Sequence, residues 1–218
     1  APRWSPDGRR VVYFAAMGGG GNIFEIPSGG TGEPQQLVAD PREKRPTSVS
    51  GDGRWIFYNA ASGSNVDIGI WSTTEKRAIA WLATPFRESN ARISPDGKWV
   101  AYQSDESGRW EVYVRGFPES DQKWMISNGG GIMPAWRGDG RELYYVSSDQ
   151  KMTAVALTGG AELQAAEPVA LFDAPLRPHP TSQYEVSGDG QRFLLNRRVE
   201  SGNPEPVAML QNWQRRLP

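Results

Sequence analysis

Short apolar runs alternate with polar turns along the chain, and the segment around Ile93 is a clear example. There the turn Ser94–Gly97 lies between Ile93 and the apolar run Trp99–Tyr102. Proline presets φ at the first central position of a turn, aspartate can bond nearby backbone, and glycine accepts a positive φ. The segment therefore predicts two antiparallel strands joined by a tight turn.

The same hairpin pattern occurs five times in the sequence. The copies share an Asp-Gly pair, whose aspartates are Asp7, Asp52, Asp96, Asp139 and Asp189. The spacing between successive aspartates is 43 to 50 residues. Repeats of this length with strand patterning are typical of propeller blades, each of which is one four-stranded sheet. We therefore predict an all-β fold, a β-propeller of four-stranded blades with five repeats in this chain.

The repeats divide the chain into five modules within a single domain. Their predicted extents are residues 1–38, 45–82, 89–127, 132–172 and 182–213 of a domain that spans 1–218. In the fourth module we expect an Ala-rich connection, Gly159–Glu167, between the third and fourth strands. The fifth module shows only three strands, so we expect the chain to be the C-terminal part of a larger ring. Uncovered end modules would then favour self-association.

Composition agrees with this architecture and excludes several kinds of chemistry. The chain has 25 Gly and 17 Pro among 218 residues, which suits many tight turns. A formal net charge of −1 predicts no general attraction to nucleic acid, and no apolar run is long enough for membrane insertion. The absence of Cys excludes disulfides, thiolate metal sites and a Cys nucleophile. Four of the nine tryptophans are predicted to belong to the core: Trp4, Trp55, Trp99 and Trp136.

Candidate catalytic and metal-binding residues are few. The chain has one histidine, His179, in a Pro-rich loop, and one histidine cannot form a multi-histidine metal site. The turn aspartates are explained by local bonding to the backbone. The sequence contains no G-x-S-x-G nucleophile motif, and Asn128–Gly131 lacks the lysine and helix of a phosphate-binding loop. We therefore predict a protein that is not an enzyme and needs no metal or cofactor.

The loops of a propeller offer a surface for binding. Those that join the second strand to the third, and one blade to the next, gather on one face, and rigid scaffolds often bind partners through such loops. We expect a protein or small-molecule ligand to bind this loop face. The candidate residues are Arg45, Arg87, Glu88, Asn90, Asn128, Met133 and His179.

The S-P-D-G hairpin with apolar flanks resembles the PD40 (TolB-type) β-propeller repeat, although Gly51, Gly138 and Gly188 replace its proline. Residues 45–218 also resemble the C-terminal propeller of bacterial receptor-type serine/threonine protein kinases. The segments that carry this likeness are Leu82–Pro118, Trp136–Val146, Tyr184–Asn196 and Leu210–Trp213. The resemblance implies an extracytoplasmic sensor or interaction module of a membrane-anchored regulator. The kinase motifs themselves are absent from this sequence.

Two other functions fit the same repeats. The first is a periplasmic scaffold of the TolB kind, which would dock envelope proteins. The second is the gating propeller of a prolyl-oligopeptidase-like peptidase, in which an α/β-hydrolase domain would accompany the propeller.

Overall fold

A computed structural model of the protein describes residues 2–17, 20–39, 42–159, 162–176 and 181–196. Over these residues the regular structure consists of β-strands joined by turns, which confirms the predicted all-β class. The strands are β1 (Arg3–Trp4), β2 (Arg10–Met17), β3 (Gly20–Pro27), β4 (Gln35–Val38), β5 (Glu43–Val49), β6 (Trp55–Ser62), β7 (Asn65–Ser72), β8 (Arg77–Leu82), β9 (Glu88–Ile93), β10 (Trp99–Ser104), β11 (Glu111–Gly116), β12 (Lys123–Met125), β13 (Gly131–Trp136), β14 (Glu142–Ser147), β15 (Lys151–Gly159), β16 (Leu163–Ala165), β17 (Val169–Asp173), β18 (Tyr184–Val186) and β19 (Phe193–Leu195).

The strands form antiparallel sheets in chain order. The first three modules are the four-stranded sheets β1–β4, β5–β8 and β9–β12, as predicted for propeller blades. The fourth module contains β13–β17, and the described part of the fifth contains β18 and β19. The third strand predicted for the fifth module, Val207–Leu210, lies outside the described residues.

The outer edge of the fourth module differs from the prediction. Strand β15 continues to Gly159 and pairs with β16 near its end and with β17 near its start. The connection Gly159–Glu167 therefore contains the short strand β16, which the sequence did not predict. The outer strand is simply divided into two pieces along one long partner.

Four of the five Asp-Gly turns contain a serine two residues before the aspartate, and both side chains bond locally. In the third module the Ser94 hydroxyl donates to Asp96 Oδ1 at 2.6 Å and accepts from the Trp99 N–H at 3.0 Å. The Lys98 N–H also donates to Asp96 Oδ1, and Gly97 has a φ of 73°. Equivalent serine–aspartate bonds are made by Ser5, Ser50 and Ser187. These hydroxyls therefore stabilise the turns.

The core consists of apolar clusters between successive modules. Each cluster joins side chains from two neighbouring sheets, such as Ile23 with Tyr58, Phe57 with Val100, Val112 with Leu143, and Met152 with Tyr184. Among the described residues, no such cluster joins the fifth module to the first. Trp4 is 63% exposed, which corrects its predicted place in the core. It lies on the two-residue strand β1 and lines a cavity instead.

Bulges in two inner strands are held by the preceding module. Asn90 and Met133 have φ of 56° and 57°, at irregularities in the pairing of β9 with β10 and of β13 with β14. The Asn90 N–H donates to Asn59 Oδ1 at 2.9 Å, and the Met133 N–H donates to Gln103 Oε1 at 2.8 Å. Asn59 and Gln103 occupy the same position in successive repeats, seven residues after the turn aspartate. The modules are therefore joined by buried polar contacts as well as by apolar packing.

The boundary between the first two modules lacks this contact. Pro46 occupies the place of Asn90 and has no N–H, while Phe14 occupies the place of Asn59 and has no side-chain acceptor. The backbone donor and the side-chain acceptor of this contact are thus absent together, so neither is left buried without its partner. The guanidinium of Arg45 instead lies over the Phe14 ring, 4.4 Å from its centroid.

Candidate ligand-binding site

The first strands of the five modules surround one cavity. Strands β1, β5, β9, β13 and β18 pack against one another in that order, and a cavity of about 340 Å³ opens at their C-terminal ends. We call this the central cavity. Its lining comes from Arg3, Trp4, Ser48, Val49, Gly51, Arg92, Ile93, Ser94, Pro95, Ala135, Trp136, Arg137, Gly138, Glu185 and Val186. Its volume lies within the range of roughly 300–1,000 Å³ that is usual for small-molecule sites.

Three charged residues from three modules meet in the central cavity. Glu185 Oε1 accepts from Arg3 Nη1 and, at 2.9 Å, from Arg92 Nη2. Both arginine side chains are 12% exposed, whereas the glutamate is about half exposed. Two largely buried guanidinium groups therefore share one carboxylate.

The electrostatics of this cluster follow from its two-to-one charge ratio. Burial, together with the positive charge of Arg92, lowers the pKa of Arg3 to about 10. Although burial opposes ionisation of Glu185, the charges of Arg92 and Arg3 hold the pKa of its carboxyl below the usual value. Arg3 and Glu185 are thus both charged at neutral pH. The buried Arg3 Nε–H has no hydrogen-bond partner among the described residues.

Apolar side chains form much of the remaining wall. Trp4, Val49, Ile93, Trp136 and Val186 line the cavity beside the charged residues. The Trp136 indole N–H donates to the Arg92 carbonyl at 2.8 Å, which ties the inner strands of the third and fourth modules together. The site therefore combines a fixed positive pair with an apolar surface.

The predicted loop face lies at the other end of the same strands. Strands β5, β9 and β13 begin at this face and end at the central cavity. There Arg87 and Asn128 are exposed, and Arg45 is half-buried against Phe14. Arg87 is fixed by an ion pair with Asp105 at 2.7 Å. No pocket that we describe brings these predicted residues together, so their role in binding stays a prediction.

Three predicted loop residues prove to be buried strand residues. Glu88, Asn90 and Met133 are all almost inaccessible, because β9 and β13 begin earlier than the turn pattern indicated. Burial raises the pKa of Glu88, which accepts a hydrogen bond from the Thr84 hydroxyl. We expected these three residues in loops, and that placement was wrong, because strands β9 and β13 include them. The remaining candidate, His179, lies outside the described residues.

We did not predict the charged residues of the central cavity from the sequence, although they share one position in the repeat. The position four residues before each turn aspartate reads Arg3, Ser48, Arg92, Ala135 and Glu185, and all five line the cavity. Comparing this position across the repeats would have identified the two arginines and the glutamate. The turn and strand pattern by itself does not show that equivalent positions meet around the ring.

Other kinds of site find no support in the described ranges. Within them, no group of three or more His, Asp or Glu side chains is placed to hold a metal ion. No helix there is long and apolar enough to span a membrane. That the protein needs no metal or cofactor therefore stays a prediction from the sequence.

Solved structures with the same fold include TolB proteins, whereas no family model matches the sequence. TolB from Acinetobacter baumannii superposes with a TM-score of 0.69 at 20% identity, over 92% of this chain and 49% of that one. A putative TolB from Agrobacterium tumefaciens superposes with a TM-score of 0.66 at 18% identity, over 88% of this chain and 73% of that one. Hydrazine synthase from Kuenenia stuttgartiensis superposes with a TM-score of 0.64 at 13% identity, over 92% of this chain and 71% of that one. At these identities the likeness establishes the fold, which is a TolB-type β-propeller of four-stranded blades.

Proposed function

We propose that this propeller is a non-enzymatic interaction module of the bacterial cell envelope, which binds a partner protein in the manner of a scaffold. The central cavity carries the proposal, because five inner strands hold a charged and apolar surface in a rigid frame. Hydrogen bonds between modules, such as that from Met133 to Gln103, make the frame stiff. Binding to a preorganised surface avoids part of the entropy cost of association.

The proposal of a scaffold is supported by the structural likeness to two TolB proteins. An extracytoplasmic location comes from the same likeness and from the resemblance of the repeats to PD40 propellers. Fold alone does not determine function, so the partner must be found by experiment.

A sensor module of a receptor-type kinase is the second candidate. The kinase-like segments between residues 45 and 218, such as Leu82–Pro118, favour it.

A gating propeller is the third candidate, since a prolyl endopeptidase matches with a TM-score of 0.53, over 86% of this chain and 36% of that one. The complete gene distinguishes them: a kinase and membrane span favour the sensor, and a hydrolase domain favours the gate.

Photo-cross-linking in envelope extracts of the source bacterium tests the scaffold proposal. We would place p-benzoylphenylalanine at Trp4 in the central cavity, at Asn128 on the loop face, and at Met125 on an outer strand. Trp4 and Met125 are similarly accessible, at 63% and 52%, so Met125 is a matched control for exposure.

A discrete partner cross-linked at Trp4, absent at Met125 and displaced by excess unlabelled protein, is the expected result. A specific product at Asn128 alone would instead support the loop face predicted from sequence. Identical products at all three positions, or none, would contradict the proposal.

The absence of catalysis needs its own test. Purified protein should show no turnover of ester, peptide, phosphoester or glycoside substrates, and less than stoichiometric metal by mass spectrometry. Turnover that a single substitution abolishes, or one tightly bound metal per chain, would contradict the non-enzymatic proposal.

A further inference from the structure

The central cavity holds more positive than negative charge. Arg3 and Arg92 both contact Glu185, and these three groups sum to one net positive charge. Arg137 also lines the cavity, but it lies 3.6 Å from both Asp139 and Glu142. Asp139 and Glu142 do not line the cavity and together more than offset the charge of Arg137, so the positive charge that faces the cavity belongs to the pair formed by Arg3 and Arg92.

The two arginines retain unused hydrogen-bond donors. A guanidinium has five N–H groups, and its planar fork matches a carboxylate. One bond to Glu185 is formed by Arg3 and one by Arg92, while the buried Arg3 Nε–H has no partner among the described residues. The N–H groups of the two guanidiniums that do not bond Glu185 are the ones that could bind a second anion.

We propose that the central cavity binds one carboxylate carried on an apolar group, with Arg3 and Arg92 holding the carboxylate. This inference rests on the proposed binding function and specifies the chemistry that the site recognises. A single carboxylate would neutralise the excess charge, whereas a phosphate dianion would leave an excess negative charge in a largely buried site. The carboxylate could come from a peptide C-terminus, an acidic side chain or a small acylated amino acid.

The cavity wall specifies the rest of the ligand. Trp4, Val49, Ile93, Trp136 and Val186 can cover an apolar group attached to the carboxylate. Burial of that group contributes roughly 25 cal/mol per Å² of apolar surface removed from water. The ligand is therefore an amphipathic acid, and not a bare inorganic anion.

Isothermal titration calorimetry with N-acetyl-leucine and its amide tests the inference. The two compounds have the same apolar group and differ in the carboxylate alone. We expect the acid to bind at least ten-fold more tightly than the amide, and high salt to weaken its binding. Inorganic phosphate should bind more weakly than the acid.

Substitutions assign the binding to this pair of arginines. Arg3→Gln and Arg92→Gln should each weaken binding of the acid at least ten-fold, whereas Glu185→Gln should strengthen it by removing the competing carboxylate. The matched control is Arg77→Gln on β8, because Arg77 is exposed, pairs with Glu75 and lies outside the cavity. Circular dichroism verifies that each variant folds. Arg3 lies on the two-residue strand β1, so its variant remains informative even if Arg92→Gln unfolds.

Equal affinity for acid and amide, no binding of either, or unchanged affinity in both folded arginine variants would overturn the inference. Two peptides identify the source of the carboxylate: one has a free C-terminal leucine, and the other has an amidated end and an internal glutamate. A partner cross-linked at Trp4 without any preference for carboxylates would refute this inference and leave the scaffold proposal intact. Preference for the acid without any protein partner would refute the scaffold alone.

Discussion

Replacing Gln103 by methionine should destabilise the propeller more than any surface substitution of the same kind. The Gln103 side chain is buried, and its Oε1 accepts the Met133 N–H at 2.8 Å and the Asn90 Nδ2 at 3.0 Å. Methionine has a similar length and no comparable acceptor, so both buried donors lose their partner. Each unsatisfied buried donor costs about 1–3 kcal/mol, which gives a total of about 2–6 kcal/mol.

Urea denaturation followed by tryptophan fluorescence measures this loss. For an m-value of about 3 kcal/mol per M, the midpoint should fall by roughly 0.7–2 M. The control Gln164→Met, at an exposed position on β16, should change stability by less than about 0.5 kcal/mol. Hydrogen exchange at the Met133 amide should also accelerate in the Gln103 variant.

A loss below about 1 kcal/mol would refute the reasoning, because it is no larger than the net value of one ordinary hydrogen bond. Unchanged protection of the Met133 amide would refute it independently. Either result would mean that apolar packing alone holds the bulge of β13 in place.

Three further predictions concern the turns and the assembly. Gly97→Ala should lower the free energy of unfolding by about 1–2 kcal/mol, since a Cβ there meets no atom within 4 Å and the cost is that of a φ of 73°. Lys98→Ala should change it by less than about 0.5 kcal/mol, and equal urea midpoints would contradict the turn assignment. The Ser187 hydroxyl and the Gln191 N–H hold the pKa of Asp189 below its usual 3.8. Its contribution to stability is therefore present above pH 3.8 and lost as the pH falls through the lower folded-state pKa, so Asp189→Asn should flatten the acid side of the stability curve. Because no apolar cluster joins the fifth module to the first among the described residues, light scattering should show self-association that grows with concentration, and a monomer at every concentration would contradict this expectation.

The sequence alone determined the local structure of each module. An Asp-Gly pair specifies a tight turn through interactions within six residues, and Gly8, Gly53, Gly97, Gly140 and Gly190 all have positive φ. The serine before the aspartate closes the same turn in four modules. Such contacts do not depend on the rest of the fold, so the repeat predicted the hairpins, the all-β class and the propeller.

Only the tertiary structure decided which residues lie in the core and which face the cavity. The bulges at Asn90 and Met133 depend on acceptors in the preceding module, so they cannot be read from their own strands. Likewise Arg3 lies 89 residues before Arg92 and 182 residues before Glu185 along the chain, and the three meet because the ring brings equivalent repeat positions together. Strand periodicity indicates which face a residue occupies within one sheet, but the packing of neighbouring sheets determines what that face contacts.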